Sequence, residues 1–386
     1  WTADSFETGT RAAACGGTTT IVDYATQDKG MTLAAALDAW HGRADGTCTT
    51  DYAFHMAISD WNERTREEVA DMRAAGIVSF KTYFAYDHLR LDDAETLGVL
   101  EAIRPFDGIL CTHCENGTLV DELQRRTLAA GVTGPEGHPL SRPAACEAEA
   151  ISRLCYLAEL ADARVNVVHL STALGLEAIR DARDRGVRVN VETCPQYLLL
   201  DDSRYLEPDF AGAKYVMSPP LRKPRDVAAL RQAVVDGEID TLATDHCAFR
   251  RQDKDAWDHR DVRTAANGIA GLGALPHLSW RLWEDDPDRA ALELAKRLSS
   301  NPARRASIEN RKGALRPGLD GDLVVLDPKG PELPIASTLA DAFETYPGFT
   351  SRLAFRHVLL RGEPAVADGR LLRPGAPGGT LLQPRP

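Results

Sequence analysis

Seven short runs of apolar and β-branched residues, each followed by a helical segment, constrain this chain more than any other feature. They read TTTIVDYA (18–25), DYAFHMAI (51–58), GIVSFKTYF (76–84), GILCTHCE (108–115), ARVNVVHL (163–170), VRVNVETC (187–194) and IDTLATDHC (239–247). Amphipathic stretches such as NERTREEVADMRAAG and ALGLEAIRDARDRG lie between them, several closed by glycine just before the next run. Repeated βα units predict a parallel sheet covered by helices. No G-x-G-x-x-G follows any strand, so a dinucleotide-binding doubly wound sheet would lack its phosphate cradle. The pattern is best met by an α/β fold of the (β/α)8 TIM-barrel type, with active-site residues at the carboxyl ends of the strands.

The opening TADSFETGTRAAACGG reads as a capped helix, with Asp4 or Ser5 as the cap and Gly16-Gly17 as the stop. A barrel that begins with a helix is expected to lack its first strand. Beyond residue 300 the pattern turns to short alternating strands with Gly and Pro turns, in RKGALRPGLDGDLVVLDP and SRLAFRHVLLRGEPAVADGRLL. The expected organisation is a barrel over 1–310 and a small partial β-sandwich over 311–386, with a short helix at STLADAFE between its strands.

Charge and cysteine usage narrow the function. A net charge of −12 argues against a nucleic-acid or anionic-membrane surface, and no apolar run reaches the length of a membrane span. Eight scattered cysteines, mostly inside apolar strands or helices, point to free thiols and a cytoplasmic setting. Cys111 and Cys114 form a lone C-x-x-C with no second pair, a weak metal or redox signal.

The chemistry-bearing residues stand at strand ends. Lys81 closes the apolar run Ile77-Val78-Ser79-Phe80, where a lysine is costly unless paired, coordinated or chemically changed. Its bland alternative is an edge strand with the amine in water. His113, His169 and Asp245 occupy corresponding positions on later strands, and each alone is more ordinary as a hydrogen-bonded core residue. Four residues of metal-binding or proton-carrying type on one barrel face make a candidate site. His55 sits mid-strand and is expected to pack or support the site.

The ordered motifs SFKTYFAY, LCTHCENG, TGPEGHPLSRP, VNVVHLS, ETCPQYL, VMSPPLR, TDHCAF and AANGIAG resemble the dihydropyrimidinase/hydantoinase group of the amidohydrolase superfamily. GTRAAACGGTTTIVDY and NPARRASIENRKGALRPGLDGDLVVLDP match its flanking segments, so the resemblance spans nearly the whole chain. It implies a metal-dependent hydrolase that opens dihydropyrimidines or 5-substituted hydantoins to N-carbamoyl amino acids. It implies that Lys81 is carboxylated and bridges two zinc ions, that His113 and His169 bind one of them, and that Asp245 binds the other and shuttles protons. Tyr86 would stabilise the oxyanion, while Ser218 and Asn267 would hold the cyclic ureide. The partner is thus a small molecule, with no nucleic acid or membrane, and the family implies a homo-oligomer, tetramer or dimer.

Two departures qualify the resemblance. The family's H-x-H of the first barrel strand is not in this sequence, so at most one tightly bound zinc is expected in this chain, with severely reduced turnover. After Asn267 the chain reads GIAGLGALP, where the family usually has an acidic residue and an arginine, which alters the expected substrate preference. An allantoinase-like ring-opening enzyme is the nearest alternative. A non-catalytic dihydropyrimidinase-related scaffold is the other, disfavoured because Lys81, His113, His169 and Asp245 are all present.

Overall fold

The computed structural model describes residues 2–383. Among these, seven parallel strands form one curled sheet in strict chain order: β1 (Thr20–Thr26), β2 (Asp51–Ala57), β3 (Ser79–Tyr83), β4 (Ile109–His113), β5 (Arg164–Val167), β6 (Val189–Thr193) and β7 (Thr241–Leu242). A doubly wound sheet reverses its strand order at a switch point. This sheet never does, and the order is that of a barrel. Helices cover its outer face, and every residue of β2 is buried, whereas the edge strand β1 is mostly half-buried.

The connecting helices are set by their ends. The opening helix is Phe6–Cys15, capped by the Ser5 hydroxyl, and it stops at Gly16 with Gly17 at φ +84°, as its sequence predicts. The helix Asp93–Ile103 starts from a reciprocal pair, in which the Glu95 amide donates to Asp92 (2.8 Å) and the Asp92 amide donates to Glu95 (2.8 Å). The longest helix, Ala144–Ala161, buries Ile151, Leu154 and Cys155 completely against the sheet. Each such aliphatic chain contributes roughly 2 kcal/mol by leaving water.

Beyond the barrel, β8 (Leu323–Asp327), β11 (Ala354–Leu360), β12 (Glu363–Ala367) and β13 (Arg370–Leu371) form an antiparallel sheet in the order β13-β12-β11-β8. A two-stranded ribbon pairs β9 (Leu333–Pro334) with β10 (Thr350–Ser351). This region is fastened to the start of β2 through Asp51. Its buried carboxylate accepts from Lys312 Nζ (2.6 Å), the Thr380 amide (2.7 Å) and Arg361, and Lys312 also reaches Asp322 at 2.7 Å.

Two expectations about elements fail. STLADAFE is not helical: Glu344 accepts hydrogen bonds from the Ser337 amide (2.9 Å) and hydroxyl (2.5 Å), and these local bonds displace a helical turn. The seventh strand is only two residues long, because the chain leaves the sheet edge after Leu242. All eight cysteines are free, with six buried and Cys15 and Cys247 partly so. Among the described residues no helix is long and apolar enough to cross a membrane.

Candidate metal and substrate site

Parallel register brings the strand ends together. Lys81 on β3 pairs with Cys111 on β4, and Tyr83 pairs with His113 at the end of β4. His169 follows β5 and Asp245 follows β7. Both adopt left-handed backbone (φ +42° and +49°), as does Tyr86 (φ +69°) in the loop after β3. Non-glycine residues in that region cost on the order of 1–3 kcal/mol each and concentrate where a side chain must be aimed.

Lys81 is 4% exposed, so it is no edge-strand lysine. Its Nζ lies 5.0 Å from the ring centre of Tyr24 and 5.1 Å from that of Tyr83, with no salt bridge to it among the described residues. Burial lowers its pKa against the opposing pull of Cys111, Asp245 and Glu192. An amine held this way is biased toward the neutral, nucleophilic form.

The two histidines meet directly. His113 Nδ1 and His169 Nε2 stand 3.0 Å apart. The far side of His113 faces Glu115, at 2.9 Å from Nε2 to Oε2, and Arg142 donates to the same carboxylate oxygen at 2.5 Å. The Arg142 guanidinium and His113 overcome the burial of Glu115 and hold it ionised far below the usual carboxylate range. An ionised Glu115 can only accept, so the His113 proton sits on Nε2 and Nδ1 presents a lone pair. On His169, Nδ1 has no hydrogen-bond partner, so the ring proton sits on Nε2 and donates to His113 Nδ1 across the 3.0 Å contact. Burial lowers the pKa of both rings, and the neighbouring His113 and Lys81 lower that of His169 further. Without a metal the two rings share an ordinary N–H···N hydrogen bond; a cation that displaced its proton would meet two neutral imidazole nitrogens side by side.

Asp245 follows β7 and is exposed as a residue. Desolvation of its carboxyl raises its pKa to about 6 against the pull of Lys81. Among the described residues no three His, Cys, Asp or Glu side chains form a metal-holding group by themselves. Lys81 is the buried neighbour that could add a donor to the His113–His169 pair, and an ammonium has no lone pair to give. The residues would fit a metal with the lysine neutral or converted to an anion.

The remaining candidates form the rim. The Tyr86 ring centre is 5.2 Å from that of His113, and the Ser218 hydroxyl lies near enough to the Tyr86 phenol to pull its pKa down against burial. Asn267 Nδ2 donates to Ser218 Oγ at 3.0 Å. Tyr86, Ser218 and Asn267 thus form one polar chain from the histidine pair to the loops after β6 and β7. His55 lies below, buried, with Nδ1 2.7 Å from Ser79 Oγ and its ring stacked on Tyr24, a packing role as expected.

Sequence reasoning passed over Glu115 and Arg142, although both lie within the quoted motifs. The available signal was a glutamate two residues beyond His113, just past the end of an apolar strand, with an arginine in TGPEGHPLSRP to match it. A cavity of about 460 Å³ elsewhere, lined by Val22, Leu294, Leu298 and Leu323, contains none of the candidate residues.

Comparison with known proteins agrees with this geometry. The family model described as "Amidohydrolase family" matches residues 2–364. A D-hydantoinase of Streptomyces coelicolor is 38% identical over 381 residues, covering 95% of this chain and 79% of the relative. Among solved structures, a D-hydantoinase superposes with a TM-score of 0.94 at 35% identity, covering 100% of this chain and 84% of that one. A dihydropyrimidinase from Brevibacillus agri gives 0.94 at 33% identity, covering 100% and 85%.

Proposed function

The chain belongs to the amidohydrolase family and is a hydrolase of cyclic amides, and from that premise we propose that it opens dihydropyrimidines or 5-substituted hydantoins to N-carbamoyl amino acids, with Lys81, His113, His169 and Asp245 as its metal ligands. The observation that carries this assignment is the convergence of two buried imidazole nitrogens, His113 Nδ1 and His169 Nε2, 3.0 Å apart beside a buried lysine. We take the metal to be zinc, held by the two histidines and by an oxygen of carboxylated Lys81. Asp245 would serve a second ion. Bound zinc supplies a Lewis acid for the ring carbonyl and lowers the pKa of water.

The protein's own groups do the rest. Ser218 and Asn267 hold the ureide, and the polar chain they form with Tyr86 sets its height above the histidines. Burial raises the Tyr86 pKa, which keeps its hydroxyl protonated as a donor to the oxyanion that develops on the ring carbonyl. Asp245 takes a proton from the attacking water. The water oxygen bonds to the carbonyl carbon, the ring carbon–nitrogen bond breaks, and Asp245 returns the proton to the departing nitrogen. A carboxylate raised to about 6 is suited to both halves of that transfer near neutral pH. Residues 1–310 are taken as the catalytic barrel and 311–386 as the accessory β region, in a cytoplasmic homo-oligomer. Metal analysis together with hydrolysis of dihydrouracil and hydantoin tests the reading. Bound zinc is expected, and its loss in His169→Ala; zinc retained in full by that variant would refute the ligand assignment.

A further inference from the structure

Lys254 is the second buried lysine near the site, and nothing in the chemistry above uses it. It lies on the short helix Arg251–Asp255 in the loop after β7 and is 2% exposed. Among the described residues it has no carboxylate partner. Its Nζ donates instead to two main-chain carbonyls, Ala266 at 2.6 Å and Val216 at 2.9 Å, with the Phe249 ring centre 5.7 Å away. A buried amine without a counter-ion costs folding energy that a methionine would not.

What those carbonyls belong to gives the cost a purpose. Ala266 immediately precedes Asn267, and Val216 lies two residues before Ser218. The Val216 carbonyl also accepts from the Gly268 amide at 3.0 Å, which joins the same two loops. A side chain at Gly268, with φ +157°, would collide with the Cys247 carbonyl at 2.6 Å, so the backbone there has no slack. Lys254 therefore sits at the base of the Ser218–Asn267 pair, and that pair reaches Tyr86 through Ser218.

We propose that Lys254 is a positioning residue that clamps the two substrate-holding loops in register, acting through Val216 and Ala266 without touching substrate. Burial lowers its pKa to about 7, with the Cys247 thiol the neighbouring group that opposes the shift. A neutral amine keeps two N–H groups, one for each carbonyl, so the clamp survives loss of the charge.

The inference rests on the reading that Ser218 and Asn267 hold a cyclic ureide, and the experiment separates the two. Lys254→Met and Lys254→Arg are compared with the wild-type chain by amide hydrogen exchange of segments 214–218 and 265–270. Dihydrouracil binding to the metal-free protein is followed in parallel by NMR titration. Lys254→Met should speed exchange in both segments, leave strand segment 79–83 unchanged, and weaken dihydrouracil about tenfold, as loss of a buried hydrogen-bonding group implies. Lys254→Arg, which keeps donors, should retain most of the protection and binding. Wild-type exchange and wild-type binding in Lys254→Met would overturn the proposal. So would faster exchange throughout the chain, which marks a merely structural residue. If Lys254→Met does not fold, Lys254→Gln is judged by the same readouts. If the wild type itself fails to bind dihydrouracil, the ureide reading fails, while loop exchange alone still decides whether the clamp exists.

Discussion

Glu115→Gln is the substitution whose effect the structure specifies most fully. The wild-type carboxylate is completely enclosed, with His113 Nε2 at 2.9 Å and Arg142 Nη1 at 2.5 Å. Glutamine preserves the shape but removes the charge. Arg142, itself 5% exposed, then loses its principal counter-ion, since Arg142 is otherwise stacked on Tyr86, 5.6 Å from the ring centre. Breaking a buried pair by neutralising one partner costs about 3–5 kcal/mol, a large share of the roughly 5–15 kcal/mol that keeps a domain folded. The His113 proton is also no longer fixed on Nε2, and loss of such an orienting group typically weakens metal binding about 10–100-fold. Urea unfolding of the metal-free proteins reads the first effect, and zinc competition against a chelator reads the second. The folded pKa of Glu115 is depressed below its ordinary 4.5, so its contribution is complete above that pH and is lost as pH falls through the lowered value. The stability gap between wild type and variant should therefore shrink in acid. Equal urea midpoints at pH 7 together with equal zinc affinity would refute the reasoning.

Tyr86→Phe should lower kcat for dihydrouracil about 10²–10³-fold with little change in KM, the signature of a donor used in the transition state, read by steady-state kinetics. Asp51→Asn should destabilise the chain by about 2–4 kcal/mol in urea melts, because it weakens the hold on Lys312, Arg361 and Thr380 at once. The Asp51 pKa is lowered and that of Lys312 raised, so this contribution should persist across neutral pH and fade only toward strong acid or strong base. Lys81→Ala should lose zinc, and short-chain carboxylic acids should restore part of the binding, because an oxygen donor is what the cavity then lacks; metal analysis with and without acetate checks this.

The sequence makes the barrel legible because strand burial, glycine stops and helix caps all act locally, and each leaves its mark within about ten residues. The candidate residues stood out in the sequence for a related reason. Lys81, His113, His169 and Asp245 are conspicuous types for strand ends, and the first three are indeed buried there. The supporting groups were harder to see, because their meaning depends on contacts across the chain. Glu115 and Arg142 are 27 residues apart, and Lys254 reaches a carbonyl 38 residues away. STLADAFE failed for the opposite reason: helix propensity was present, but Glu344 satisfies Ser337 locally and closes a turn instead.

The account turns on a metal between His113 and His169. Crystals grown with zinc and bicarbonate, with diffraction recorded on both sides of the zinc absorption edge, test it most directly. The prediction is an anomalous peak about 2 Å from both His113 Nδ1 and His169 Nε2, with density extending Lys81 Nζ by a carboxyl group toward it. No peak there at saturating zinc, with the two rings still 3.0 Å apart and Lys81 unmodified, would contradict it.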